Sequence, residues 1–175
     1  MKEPVNMWQP PAIDSCEAAE WRLEGANGRE SRVIMSLYLA EGALAKQNRE
    51  LIAKYEAMKS EAAAETFEVE DSSLIVVAFG SIGRIAKSSV RKLREEGYKV
   101  GLVRPITLYP FPDKVLEDIA AQGKRFITIE HNTGQMVDDV RLAIRHYADS
   151  SFFGYMPGDM PGSDDFVEPI LKALE

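Results

Sequence analysis

Three short stretches of this 175-residue chain combine residue types able to bind or transform a ligand. Glu130-His131-Asn132-Thr133-Gly134-Gln135 places a carboxylate, an imidazole, two side-chain amides and a hydroxyl within six residues. Glu130 closes an apolar run, so shielding from water would disturb its ionisation and suit it to proton transfer. No nucleophile accompanies it, and the same residues equally suit a polar interface or a helix-capping loop. Gly80-Ser81-Ile82-Gly83 sets two glycines and a hydroxyl where backbone N–H groups can receive an anion. It matches neither the dinucleotide fingerprint nor a Walker loop, and a tight turn that needs glycine is the plainer alternative. Arg104-Pro105-Ile106-Thr107 is the third stretch. His131 and His146 are too far apart for a helical metal pair and have no carboxylate or cysteine at ligand spacing, so no metal site is expected.

Composition narrows the chemistry further. The single cysteine, Cys16, excludes an internal disulfide, an iron–sulfur cluster and a four-thiolate zinc site, and a reducing, cytoplasmic home fits. With 21 Lys+Arg against 28 Asp+Glu, the net charge of −7 argues against nucleic-acid binding. No apolar run approaches a bilayer span, and Met1-Lys2-Glu3-Pro4 does not open like a secretory leader. Charge is uneven: residues 84–104 hold seven basic and two acidic residues, and residues 149–175 one basic and six acidic. The basic stretch is mostly one helix, either a solvated face or an attractor for a phosphate-bearing cofactor.

The elements that must position these residues follow from periodicity. Residues 1–30 hold Pro4, Pro10, Pro11, Trp8 and Trp21 without a sustained period, and read as an irregular N-terminal arm. The arm wraps the chain's own surface or lies on a partner. Residues 31–65 form a helical linker, with Leu37, Leu44, Leu51 and Met58 seven apart. That stripe packs on the domain or forms a coiled coil, and Gly42 marks a weak point. Residues 66–175 then alternate strand and helix. Strands are expected at 66–70, 74–79, 99–103, 125–129 and 151–155, and Leu74-Ile75-Val76-Val77-Ala78-Phe79 reads as a strand buried on both faces. Helices are expected at 82–96, from Pro112 to Gly123, at 135–147 and within 168–174. The pattern predicts an α/β fold, a three-layer α/β/α sandwich around a mostly parallel five-stranded sheet. Only three residues separate the first strand from the second, so the first runs antiparallel or sits at an edge. All three chemical stretches then fall beyond strand carboxyl ends, where open α/β sheets gather ligands.

The motifs Ala78-Phe79-Gly80-Ser81, Gly101-Leu102-Val103-Arg104-Pro105-Ile106-Thr107-Leu108-Tyr109-Pro110-Phe111-Pro112 and Glu130-His131-Asn132-Thr133-Gly134-Gln135-Met136 resemble one family. They are similar to the C-terminal half of the alpha subunit of 2-oxoacid:ferredoxin oxidoreductases, the 2-ketoisovalerate branch first and the 2-oxoglutarate branch second. The resemblance implies a transketolase C-terminal-like domain with one antiparallel edge strand. It implies oxidative decarboxylation of a 2-oxoacid to acyl-CoA with reduction of ferredoxin, using thiamine diphosphate, magnesium, iron–sulfur clusters and coenzyme A in the intact enzyme. It places the diphosphate motif and cluster cysteines in other subunits and a further domain ahead of this one, so the isolated chain is expected to be inactive and to bind none of these cofactors alone. Ferredoxin is reached indirectly, and neither membrane nor nucleic acid is expected as a partner. Gly80, Ser81, Arg104, Glu130, Asn132 and Gln135 are the candidate cofactor-binding or subunit-interface residues, with no catalytic or metal-binding residue. Where the family carries Gly-Gly near its end, this chain has Met156-Pro157-Gly158-Asp159. A stand-alone nucleotide-binding or interaction module is the reading from another class.

Overall fold

The computed structural model describes residues 7–10, 12, 25, 26, 28–34 and 36–175. Much of the expected arm, Cys16 and Trp21 included, lies outside the described residues. Residues 2–56 and residues 57–175 form two compact units.

In the first unit the helix is shorter than the expected 31–65. It begins at Ala43, directly after Gly42 at φ +75, and α1 runs Ala43–Met58, followed by a 3-10 turn at Lys59–Glu61. Residues 30–34 and 36–39 carry no helix. The seven-residue stripe was expected to be covered, yet no residue of α1 is buried.

The second unit contains β1 (Ala64–Phe67), β2 (Leu74–Val77), α2 (Gly80–Glu95), β3 (Val100–Pro105), α3 (Asp113–Ala120), β4 (Arg125–Glu130), α4 (Met136–Ile144), β5 (Ser150–Gly154) and α5 (Val167–Leu174). The five strands order β1-β3-β2-β4-β5. β1 is an antiparallel edge strand and the other pairings are parallel. This is the expected sheet: β1 is both antiparallel and at an edge, and its partner is β3, two strands later.

Strand β2 is the centre because its sequence leaves no polar face. Leu74 and Val76 join the cluster under α2 and α5, with Ile82, Leu93, Phe166 and Ile170. Ile75 and Val77 join the opposite cluster under α3 and α4, with Leu116, Ile119, Val140 and Ile144. Side chains alternate across a strand, so an unbroken apolar run demands cover on both sides. β1 begins two residues earlier than expected and stops at Phe67, because Glu68 at φ 53 turns the chain. Phe67 and Val69 therefore pack into opposite clusters. Two cations fasten that turn. The Arg94 guanidinium donates to the carbonyls of Glu68 and Val100 and to Asp71, and the buried Lys124 ammonium donates to the carbonyls of Val69 and Glu70.

Topology also fixes where a ligand crevice can open. From β2 the chain passes through α2 to β3 on one side, and from the adjacent β4 it passes through α4 to β5 on the other. Their loops diverge, so the ligand crevice of an open α/β sheet is expected between the carboxyl ends of β2 and β4.

Candidate functional site

The six candidate residues all come to the carboxyl ends of the parallel strands, but only Glu130, Asn132 and Gln135 are hydrogen-bonded to one another. On the β4 side, Glu130 ends the strand fully buried. Its Oε1 accepts from the backbone N–H of Gln135 at 3.3 Å and of Val137 at 2.9 Å. Its Oε2 accepts from the N–H of Met136 at 2.9 Å and from the Asn132 amide at 3.1 Å. The first N–H groups of a helix have no partner inside it, and a carboxylate there also meets the positive end of the helix dipole. Glu130 is thus the internal cap of α4. Asn132 closes the loop from the other side, its Oδ1 accepting from Gly134 N–H at 2.7 Å. The capping reading prevails over proton transfer, since both carboxylate oxygens are occupied and away from solvent. The Gln135 side chain is exposed and faces outward, whereas half-buried Asn132 is held within the loop by both ends of its amide.

Gly80 and Ser81 open α2 across the crevice, both exposed, with Gly80 at φ +56. The fourth residue of this stretch carries the packing. A Cβ on buried Gly83 would meet the Ala78 carbonyl oxygen at 2.7 Å and the Arg104 stem at 3.1 Å. A methyl group there cannot be accommodated without a shift, so glycine sets how closely α2 approaches β2 and β3.

Arg104 does not reach the crevice loops. Its guanidinium turns to the edge strand and pairs with Glu65 Oε2 at 3.2 Å, and Glu65 is its register partner in β1. Lys87 of α2 reaches Glu65 Oε1 at 2.5 Å and sits 5.2 Å from the centre of the Phe67 ring. The hydrogen bond from Lys87, helped by the Arg104 charge, holds the Glu65 carboxyl below its ordinary range. Arg104 Nε is buried without a hydrogen-bond partner among the described residues.

The same geometry gives the basic stretch its partners within the chain. Lys87 binds Glu65, Arg91 stacks on Phe67, Lys92 binds Asp164 and Arg94 binds Asp71. These side chains of α2 meet the β1 edge, Asp71 and Asp164, and with Arg91 and Lys92 exposed the face is still partly solvated, as one of the two readings had it.

Three participants were absent from the sequence reading. Glu65 and Lys87 escaped because the register of an edge strand with its non-sequential neighbour is not written in local pattern. Gly154 is the third: a Cβ there would meet the Asn132 carbonyl oxygen at 2.6 Å. It ends β5 where the β4–α4 loop crosses, and a glycine closing an apolar strand was the available signal. His131, from the same loop, contacts the Met156 carbonyl at 3.1 Å and packs 5.9 Å from the Tyr155 ring. The departure from Gly-Gly at Met156 therefore touches this loop.

Residues 72–166 match the family described as pyruvate:ferredoxin oxidoreductase core domain II. The chain belongs to that family. Ketoisovalerate oxidoreductase subunit VorB of Methanothermobacter thermautotrophicus is 35% identical over 173 residues, 98% of this chain and 49% of the relative. The VorB subunit of Methanothermobacter marburgensis is 35% identical over 82% of this chain and 41% of its own length. The 2-oxoglutarate synthase subunit KorA of Methanocaldococcus jannaschii is 30% identical over 70% of this chain and 33% of its own. The chain thus spans half or less of the curated relatives it matches. A solved 2-oxoglutarate:ferredoxin oxidoreductase from Magnetococcus marinus superposes with TM-score 0.63 at 17% identity, covering 79% of this chain and 24% of that one. A split-gene transketolase superposes at 0.53 with 20% identity, covering 64% of this chain and 41% of that one. These two likenesses bear out the transketolase-like fold. The matches to VorB and KorA bear out the family read from the 101–112 run.

Proposed function

We propose that this chain is the transketolase-like domain of a 2-ketoisovalerate:ferredoxin oxidoreductase alpha subunit, an enzyme that converts its 2-oxoacid to acyl-CoA and passes electrons to ferredoxin. The VorB match along 98% of the chain carries the reading. Partners are the other subunits, ferredoxin is met only through them, and the compartment is the cytoplasm. A 2-oxoglutarate substrate is the second reading, favoured by KorA of Archaeoglobus fulgidus at 35% identity over 89 residues.

We assign none of the resident cofactors of such an enzyme to this chain. It has one cysteine, and among the described residues no three His, Cys, Asp or Glu side chains cluster as a metal site. No step of thiamine, magnesium or iron–sulfur chemistry is therefore assigned to its residues. Its contribution is an interface. The exposed Ser81 and Gln135 flank the crevice between β2 and β4 and face a neighbouring subunit or a cofactor such as coenzyme A. Gly80, Gly83, Glu130 and Asn132 hold those loops in place, and Arg104 braces α2 against the β1 edge.

The test is Ser81→Ala with Gln135→Ala in the intact complex. A weakened assembly or a raised KM for coenzyme A is expected, with the α/β unit still folded. Unchanged assembly, turnover and KM would remove these residues from the interface.

A further inference from the structure

The residues that follow Arg104 take no part in the crevice, yet they carry apolar side chains into solvent from a loop that is firmly held. The N–H groups of Ile106 and Thr107 donate to the Ala63 carbonyl at 2.9 and 3.2 Å, and the Ala63 N–H donates to the Thr107 hydroxyl at 2.9 Å. At the other end buried Pro112 leads into α3. Between these anchors Leu108 and Tyr109 are 49% and 65% exposed. With Phe111 from the same loop and Leu142 of α4, itself 59% exposed, they wall a cleft of about 560 Å³. A cleft of that size can bury a bound group, and a loop already fixed in place loses little freedom when one enters.

The charged lining selects what enters. Asp113 opens α3, Asp139 stands in the first turn of α4, and both line the cleft. Partial loss of water, and then the charge of Asp139, hold the Asp113 carboxyl above its ordinary range. Glu117 acts in the same direction and the Arg145 guanidinium against it, so two carboxylates oppose one cation around Asp113. Of the two lysines on the lining, Lys114 turns to Asp118 at 2.6 Å. A further positive charge would relieve the repulsion between the carboxylates. Apolar walls leading to that charge suit the alkyl stem of a lysine or arginine.

The cleft is continuous with the proposed interface. Gln135 at the cap of α4, Asp139 and Leu142 follow one another at steps of four and three residues, which sets them along one face of the helix. A second copy of the chain would bring the same carboxylates and a net charge of −7, and coenzyme A would bring phosphates, so both meet repulsion here. We propose that the cleft receives a lysine or arginine side chain of the neighbouring subunit, its stem against Leu108, Tyr109 and Leu142 and its charge beside Asp113 and Asp139. This rests on the proposed function and selects between the two occupants named there. The flank of the crevice beside Gln135 takes a basic protein surface in preference to coenzyme A.

The experiment uses the native complex that carries this chain. Asp113→Asn with Asp139→Asn keeps the side-chain shapes and removes both charges. The double variant should hold the neighbouring subunit about tenfold more weakly at low ionic strength, and the deficit should shrink as salt screens the contact. A photoreactive benzophenone amino acid in place of Leu142 should capture, on irradiation, a peptide of that subunit that contains a lysine or arginine. Unchanged affinity for the neighbouring subunit, in a double variant with an unaltered urea midpoint, overturns the inference. So does capture of a second copy or of this subunit's own polypeptide, or no capture at all. A lowered KM for coenzyme A with assembly unchanged overturns it as well, because the occupant is then the cofactor. A complex that turns over a 2-oxoacid while failing these tests sinks the cleft and leaves the function standing. The absence of any such complex overturns both.

Discussion

A buried glutamate at a strand end can move protons or hold a loop, and the donors around it decide which. Glu130 has both oxygens filled, three of its four partners being backbone N–H groups at the start of α4. Glu130→Ala strands those donors away from water, and each unsatisfied buried group costs about 1–3 kcal/mol. A loss on the order of 3 kcal/mol in urea unfolding is expected, with Glu130→Gln intermediate; an unchanged midpoint for the alanine variant would leave the cap without energetic weight. Gly83→Ala forces a methyl group onto the Ala78 carbonyl at 2.7 Å. Overpacking of this kind costs about 1–3 kcal/mol, whereas Ser81→Ala on the exposed face of the same turn should stay within about 0.5 kcal/mol. Parallel thermal melts of the two variants would show the contrast. Residue types alone marked Gly80–Gly83 and Glu130–Gln135 as the loops of interest. They could not say which way each side chain turns: Glu130 faces inward and Gln135 outward because α4 starts between them, and a start is located by hydrogen bonds rather than by composition.

Helix α2 binds the edge strand by charge as well as by apolar packing. Lys87 and Arg104 both grip Glu65, and the Lys87 hydrogen bond is the main reason that its carboxyl titrates below its ordinary range. The folded protein then holds fewer protons on Glu65 than the unfolded chain at mildly acid pH. The stabilisation is complete above the ordinary carboxylate range and is lost as pH falls through the lowered folded value. Glu65→Gln should therefore lower stability near neutrality and flatten the acid limb of a stability–pH curve from urea titrations. A parallel downward shift with the acid limb intact would mean that Glu65 acts through packing alone. The central elements were legible because the apolar run of β2 and the stripe of α2 are each periodic over their whole length. β1 was misplaced by two residues and its partner missed. Its four residues pair with a strand more than thirty positions later, and that register is set by Glu65, Arg104 and the turn at Glu68. The extent of α1 was overestimated because apolar spacing continues through Leu37 into a segment that forms no helix.

At the scale of the whole molecule, the α/β unit has a complete core on both faces of its sheet, and α1 has no buried residue. Core and sheet were readable from pattern because they close upon themselves. The segment ahead of β1 was not, because no residue of α1 is buried and apolar spacing alone does not say what covers it. Under the proposed function, the isolated chain should not turn over substrate. The decisive measurement is coenzyme A-dependent reduction of ferredoxin by the complex carrying this chain, with 2-ketoisovalerate and 2-oxoglutarate offered separately and the isolated chain as control. The expected result is turnover by the complex, a higher kcat/KM for 2-ketoisovalerate, and none by the chain alone. A complex that oxidises neither acid, or an isolated chain that oxidises either, would contradict the assignment.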